Sequence, residues 1–102
     1  MKALQPDEIE AICQREQGWT FAGGKITREW AFPDFVAAMR FVNLVAVIAE
    51  QAGHHPDIDI RYNVVRVALV THDAGGITSE DAAMAARLNR EFPPEPQSTS
   101  TF

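Results

Sequence analysis

Residues 57–70 read DIDIRYNVVRVALV, and their pattern decides which fold the chain can adopt. Isoleucines alternate with charged residues up to Arg61, and β-branched residues dominate from Val64 onward, as in strands that have one buried face. The intervening Tyr62-Asn63 predicts a two-residue hairpin turn, because asparagine tolerates the positive φ that such a turn requires. If Arg61 pairs with Val64, then Asp59 lies opposite Arg66. The same register places Ile60 opposite Val65 and Ile58 opposite Val67, so it is self-consistent.

A further hairpin and three helices are predicted around this stretch. Residues 19–32 have alternating apolar positions that break at Gly23-Gly24, which indicates a hairpin turning at the two glycines. Arg28 interrupts the apolar face of this hairpin, so that face is either partly solvated or borders a pocket. The helices are predicted from Pro6 to Gly18, from Pro33-Asp34 to Ala52 with a stop at Gly53, and from Thr78 to Phe92.

The order of elements is therefore α-ββ-α-ββ-α, which predicts a single α+β domain with a four-stranded antiparallel sheet and helices packed on one face. We expect this domain to cover residues 1–92. Residues 93–102 are rich in Pro, Ser and Thr and have little to bury, so we expect a mobile tail. The second helix is apolar around well over half of its circumference, which predicts burial against a partner subunit as well as the sheet.

Composition excludes several partners and favours a cytoplasmic location. The 102 residues include 9 Lys and Arg against 14 Asp and Glu, for a net charge of −5. With no basic cluster, the chain is not expected to bind nucleic acid or an anionic membrane. The longest fully apolar run, 44–49, is far shorter than the roughly 20 residues of a membrane span. Cys13 is the only cysteine, which precludes an intrachain disulfide and suits a reducing compartment.

All three histidines of the chain are predicted to meet at one end of the second hairpin. Extending the strand pairing places His54 and His55, which follow the main helix, beside His72, which follows the last strand. A single histidine at such a position is usually an ordinary surface residue. Three that converge suit acid–base chemistry, because imidazole can both give and take a proton near neutral pH.

Three neighbouring residues have both a functional and a purely structural interpretation. Glu50 lies one helical turn before His54, where it either orients an imidazole at the helix end or is an ordinary solvated charge. Asp81 either reaches the histidines or acts only in a capping box with Thr78. Pro56 either makes the loop after the histidine pair rigid or simply stops the helix.

Metal and nucleophilic chemistry are less favoured alternatives. Three imidazoles are a legitimate zinc set, but adjacent histidines in a loop tend to project in different directions. Neither Ser79 nor Cys13 lies in a Gly-x-Ser-x-Gly turn that would indicate a nucleophile. The residues by themselves therefore favour histidine acid–base chemistry over a metal site or a nucleophile.

These residues resemble the signature of the pterin carbinolamine dehydratases. That signature is Glu-x3-His-His-Pro-x5-aromatic-x9-His followed by Asp, and the matching residues are Glu50, His54, His55, Pro56, Tyr62, His72 and Asp81. The resemblance extends outward to Gly18-Trp19 and to the run Trp30-Ala31-Phe32-Pro33-Asp34-Phe35. It therefore spans nearly the whole chain, from about Pro6 to Phe92.

The resemblance implies removal of water from a 4a-hydroxytetrahydropterin, the carbinolamine left by an aromatic amino acid hydroxylase, to give a quinonoid dihydropterin. It implies no metal or organic cofactor, and assembly as a homodimer or homotetramer through a helix and sheet edges. By resemblance, His54 and His72 are the acid–base pair and His55 binds the pterin. Glu50, Asp81, Pro56 and Trp19 are expected to bind or support the substrate.

Two positions depart from the family pattern. Many members have Asp where this chain has Gly53, and many have Arg where it has Glu80. Both changes fall at the edge of the expected pocket, so we expect them to alter pterin affinity or side-chain preference. The rival function is non-catalytic, either pterin binding alone or dimerisation with a transcription factor, as in some members of the family.

Overall fold

The structure, a computed structural model, describes residues 2–93 and has the predicted order of elements. Its elements are α1 (Pro6–Arg15), β1 (Thr20–Ala22), β2 (Lys25–Ala31), α2 (Phe35–Ala52), β3 (Asp57–Arg61), β4 (Val64–Leu69), a short 3-10 helix (His72–Ala74) and α3 (Ser79–Glu91). The predicted α+β architecture is confirmed. Apart from Pro93, the predicted mobile tail lies outside the described residues.

The four strands form one antiparallel sheet in the order β1-β2-β4-β3. The predicted register of the second hairpin is confirmed, with Asp59 opposite Arg66 and Ile58 opposite Val67. The expected positive φ at Asn63 is wrong, since Tyr62 holds it, at 56°. The side-chain amide of Asn63 instead donates to the carbonyl of Phe32 at 2.8 Å, which ties this turn to the end of the first hairpin.

The core lies between the helices and one face of the sheet. Trp30 and Phe41 are its central aromatic pair, with ring centroids 4.7 Å apart, and Trp19 meets Trp30 edge-on. On the sheet, the alternating positions Val65 and Val67 are fully buried. Burial of one side of each strand explains the two-residue period in the sequence.

Arg28 lies on the buried side of β2 and is only 7% exposed, so partial solvation of this face, one of the two sequence-based options, is wrong. Its guanidinium stacks on the ring of Trp30, 4.1 Å from the centroid, and donates to the side-chain oxygen of Asn89. Burial lowers the pKa of Arg28 from its ordinary value. A side chain at Gly18, which has a φ of +93°, would come within 2.9 Å of the Arg28 Nε atom.

The first helix is shorter than predicted. It ends at Arg15 rather than Gly18, and the backbone N–H of Trp19 bonds back to the carbonyl of Glu16. This tight return brings Trp19 into the core, where its side chain is 2% exposed. Burying the indole therefore ends the helix before the glycine is reached.

The second helix begins and ends where the sequence predicts. The Asp34 side chain accepts from the N–H of Ala37, and Gly53 closes the helix in the left-handed conformation with a φ of 64°. By length and a mean hydropathy of 1.5, α2 would also pass as a membrane span, but core helices of soluble domains meet the same criterion. One side of α2, including Phe41 and Val45, is buried in the core.

Candidate active site

The three histidines meet in an open cleft of about 410 Å³, so their predicted convergence is confirmed. The cleft is lined by Gly53, His54, His55, Val70, Thr71, His72, Asp73 and Glu80. The strand pairing used to predict it does not extend that far, because β4 ends at Leu69. A bridge between Thr71 and Gly76 closes a tight loop instead, and His72 stands on the 3-10 helix inside that loop.

The end of α2 fixes the position of His54. Because Gly53 adopts the left-handed conformation, the backbone N–H of His54 can bond to the carbonyl of Ala49 at 3.1 Å. Glycine takes this conformation without the steric cost that another side chain would meet. Glycine at position 53 therefore suits the end of α2 for a local structural reason. Pro56 follows two residues later and disfavours further helix.

Asp81 combines the two roles that the sequence left open. Its carboxylate is fully buried, and its Oδ2 atom accepts from the Thr78 backbone N–H at 2.9 Å and from the Thr71 hydroxyl at 2.8 Å. Its Oδ1 atom lies 2.6 Å from His54 Nε2. A carboxylate only accepts hydrogen bonds, so the Nε2 atom carries a proton. Asp81, which forms the capping box of α3 with Thr78, thereby fixes the ring of His54.

The second nitrogen of His54 lies beside another carboxylate, that of Glu80. Its Nδ1 atom lies 3.4 Å from the Glu80 Oε1 atom, at the cleft lining. The His54 side chain is 12% exposed, against 47% for Glu80, so the carboxylate can move while the imidazole stays in place. Glu80 follows Ser79 in the first turn of α3, next to Asp81.

Glu50 orients an imidazole, but it is the imidazole of His55. The Glu50 Oε2 atom lies 2.5 Å from His55 Nε2, and both side chains are well exposed. Of the two histidines that follow α2, Glu50 therefore pairs with His55 and not with His54, which lies one helical turn on. The chain reverses direction after Gly53, which turns His54 toward the buried Asp81 and leaves His55 beside the helix end.

His72 faces the cleft as an exposed side chain. Among residues 2–93, its ring makes no hydrogen bond or ion pair with another side chain. Asp73 also lines the cleft, and the sequence analysis did not include it. The only sequence signal for Asp73 was its position directly after a candidate histidine.

Trp19 does not join this site, which corrects the expectation from the resemblance. Its indole N–H donates to the Asn89 side chain at 3.0 Å, inside the core. Asn89 lies eight residues after Asp81 on α3, or about 12 Å along a helix. Pro56 is half-buried beside His55 and does not line the cleft, so it acts only by restricting the backbone next to the histidine pair.

Another cavity of similar size lies on the opposite, open face of the sheet. It measures about 420 Å³ and includes Glu29 and Arg66, which pair with each other at 2.7 Å. This cavity lacks histidine, cysteine and tyrosine, whereas the cleft has three imidazoles. Within residues 2–93, no group of three or more His, Cys, Asp or Glu is arranged to hold a metal ion.

The fold and the cleft together define an α+β domain that holds carboxylate-oriented imidazoles in an open cleft. The profile of the family described as pterin 4 alpha carbinolamine dehydratase matches residues 2–91. The chain belongs to this family.

Comparison with known proteins gives the same family. A protein of Acidobacterium capsulatum, provisionally named pterin-4-alpha-carbinolamine dehydratase, is 56% identical over 86% of this chain and 96% of its own length. A crystal structure from Brucella melitensis, described as a transcriptional coactivator/pterin dehydratase, is 34% identical with a TM-score of 0.82, covering 87% of this chain and 97% of its own.

The fold also occurs in a protein with a different described role. A pterin dehydratase-like protein, described as a RuBisCO assembly factor in the alpha-carboxysome, is 22% identical with a TM-score of 0.61. The alignment covers 72% of this chain and 88% of that protein. At this level of identity the likeness shows a shared fold.

Proposed function

We propose that this protein dehydrates a 4a-hydroxytetrahydropterin to the quinonoid dihydropterin by histidine acid–base catalysis. The observation that carries the proposal is the pair formed by His54 and the buried Asp81, in one cleft with His72. The cleft volume of about 410 Å³ falls within the range of small-molecule sites. The proposed role is to return the carbinolamine made by an aromatic amino acid hydroxylase to the tetrahydropterin cycle.

The reaction requires two proton transfers at neighbouring atoms. One proton goes to the hydroxyl on C4a, which leaves as water when the C–O bond breaks. Another proton leaves N5, and the electron pair of the N–H bond forms the C4a=N5 double bond. No oxidant or reductant is needed, so two positioned imidazoles are sufficient.

The hydrogen bonds of His54 suit it to accept the N5 proton. Because Asp81 holds Nε2 in its protonated form, Nδ1 carries the lone pair, and the buried carboxylate stabilises the imidazolium that forms. His72, which lines the same cleft, then protonates the leaving hydroxyl. His55, fixed by Glu50, is proposed to hold the pterin ring.

A coupled assay tests the activity directly. A hydroxylase would generate the carbinolamine, and its ultraviolet absorbance would be followed with and without this protein. We expect faster decay in proportion to protein concentration. Decay at the uncatalysed rate, from protein shown to be folded by circular dichroism, would contradict the dehydratase proposal and favour a non-catalytic role.

The exposed side of α2 favours a second function, self-association or docking of another protein. Four of the six exposed large apolar side chains lie on this helix: Phe35, Val36, Leu44 and Val47. Leu44 and Val47 are each more than half exposed and lie one turn apart, so they form one continuous apolar strip. We propose that this strip joins copies of the chain in a homodimer or homotetramer.

Charge placed on the strip is expected to dissociate the assembly. Leu44→Glu would put a carboxylate into an apolar interface, which is costly to bury unpaired, so the variant should run as a monomer. Light scattering after size-exclusion chromatography measures the mass. Ala11→Glu, at an exposed position on α1 away from α2 and the sheet edges, is the control and should keep the mass of the parent protein. A monomeric parent protein would contradict the proposed assembly.

We also propose a cytoplasmic location. The lone cysteine, Cys13, is partly buried on α1, and burial raises the pKa of its thiol, so it is an unreactive packing residue. A single unpaired thiol of this kind suits a reducing compartment.

A further inference from the structure

Apart from its histidines, the cleft is lined by acidic side chains and by no basic ones among the described residues. Two carboxylates, those of Asp73 and Glu80, are among the lining residues, and within the described part of the chain no Lys or Arg lines it. Glu80 lies close to the proposed chemistry, since its Oε1 atom is 3.4 Å from His54 Nδ1. A ligand that reaches this nitrogen therefore approaches a negative group.

The start of α3 would ordinarily attract an anion to this side of the cleft. Free N–H groups and the helix dipole favour negative charge at a helix N-terminus. Here the chain's own acceptors already occupy that position. The Thr78 N–H bonds to Asp81, the Glu80 N–H bonds to the Thr78 hydroxyl, and the Asp81 N–H bonds to the Thr78 carbonyl. The two carboxylates of this turn also offset the dipole.

The negative charge of Glu80 would act on one part of a pterin substrate, the side chain at C6. The reacting atoms of the carbinolamine are C4a and N5, and the variable side chain begins at C6, the ring atom next to N5. If His54 Nδ1 takes the N5 proton, the C6 side chain starts one bond further on. A charged group on a short C6 side chain then comes near Glu80.

We propose that Glu80 is a specificity-determining residue that makes the cleft select tetrahydropterins with an uncharged C6 side chain over those with an anionic one, such as a phosphate ester. This inference rests on the proposed function and adds to it a preference for substrates whose C6 side chain is uncharged.

The test uses two ligands that share the ring and the C6 side chain and differ by one phosphate group, 7,8-dihydroneopterin and its 3′-phosphate. Isothermal titration calorimetry would give Kd for both with the whole protein. We expect the parent protein to bind the uncharged compound at least about tenfold more tightly at low salt, because close like charges repel. Glu80→Arg should shift the ratio of the two Kd values by about tenfold or more toward the phosphate, and Glu80→Gln by less.

A matched control separates local charge from net charge. Asp7→Arg changes the net charge by the same amount, also replaces an acid in the first turn of a helix, and lies outside the cleft. It should leave the Kd ratio unchanged. The effect of Glu80→Arg should also shrink in 0.5 M NaCl, since salt screens exposed charges.

The outcomes distinguish this inference from the proposed function. An unchanged Kd ratio in Glu80→Arg, or an equal shift in Asp7→Arg, would overturn the role of Glu80 and leave the dehydratase proposal standing if the carbinolamine assay is positive. Failure of the parent protein to bind either pterin, together with a negative assay, would overturn both.

Discussion

His72→Ala is expected to lower dehydratase kcat by about 10²- to 10⁴-fold, the usual contribution of one positioned acid or base. The fold should be nearly unaffected, because the imidazole is exposed and bonds to no other side chain among the described residues. A surface change of this kind typically alters stability by less than about 0.5 kcal/mol, or about 2–4 °C in Tm for a domain of this size. The coupled assay and thermal unfolding measure the two effects separately.

Two further variants sharpen this prediction. His72→Gln keeps a hydrogen-bonding group of similar length but cannot exchange a proton near neutral pH, so it should lose as much activity as His72→Ala. Arg90→Ala, at an exposed position on α3 outside the cleft, should retain parental kcat. Parental turnover in both His72 variants would rule out the proposed proton donor.

Asp81→Asn is expected to give the other large effect through the ring of His54. The amide must keep its oxygen toward the Thr78 backbone N–H, which can only donate, so its NH₂ group faces His54 Nε2. The imidazole then has to accept at Nε2 and carry its proton on Nδ1. Nδ1 can no longer accept the N5 proton, and kcat should fall by about 10²- to 10⁴-fold.

Several measurements separate this positioning role from a purely structural one. Asp81 is fully buried and does not line the cleft, so KM should change little while kcat falls. The ¹⁵N NMR shifts of His54 should show the proton moving from Nε2 to Nδ1. Parental ¹⁵N shifts, or a fall in kcat matched by a general loss of fold, would contradict the prediction.

The loss of stability in Asp81→Asn should be modest. Asparagine replaces the bond from His54 and weakens at most one other, which costs about 1–1.5 kcal/mol, or about 4–12 °C in Tm. The matched control is Asp34→Asn at the N-cap of α2, where asparagine caps as well as aspartate. This control should retain both activity and Tm.

Local sequence was sufficient for most of the fold. Alternation in residues 57–70 fixed the strands and their register, because a one-residue slip would turn every buried side chain to solvent. The caps at Asp34, Gly53 and Thr78 were visible because each satisfies backbone groups within a few residues of itself. The hairpin was enough to predict the convergence of the three histidines, although β4 ends at Leu69 and a 3-10 helix holds His72 at the cleft.

Individual partners within the site were not predictable in the same way. Both Glu50 and Asp81 lie near the histidines, but which imidazole each one meets depends on how the chain turns after α2. Arg28 likewise has the sequence character of a solvated residue, and only its stack on Trp30 and its bond to Asn89 allow it to be buried. Trp19, expected at the substrate, instead fills the core.

The sequence by itself thus determined the elements, the sheet register and the residue types that could move protons. Only the tertiary structure decided that His54 bonds to Asp81, 27 residues away, and that Glu80 lies against its other nitrogen. The physical reason is how far apart in the sequence the interacting residues lie. Periodicity and capping act between residues close in sequence, whereas the choice of a distant hydrogen-bond partner depends on how packed elements place a few side-chain atoms within about 3 Å of each other.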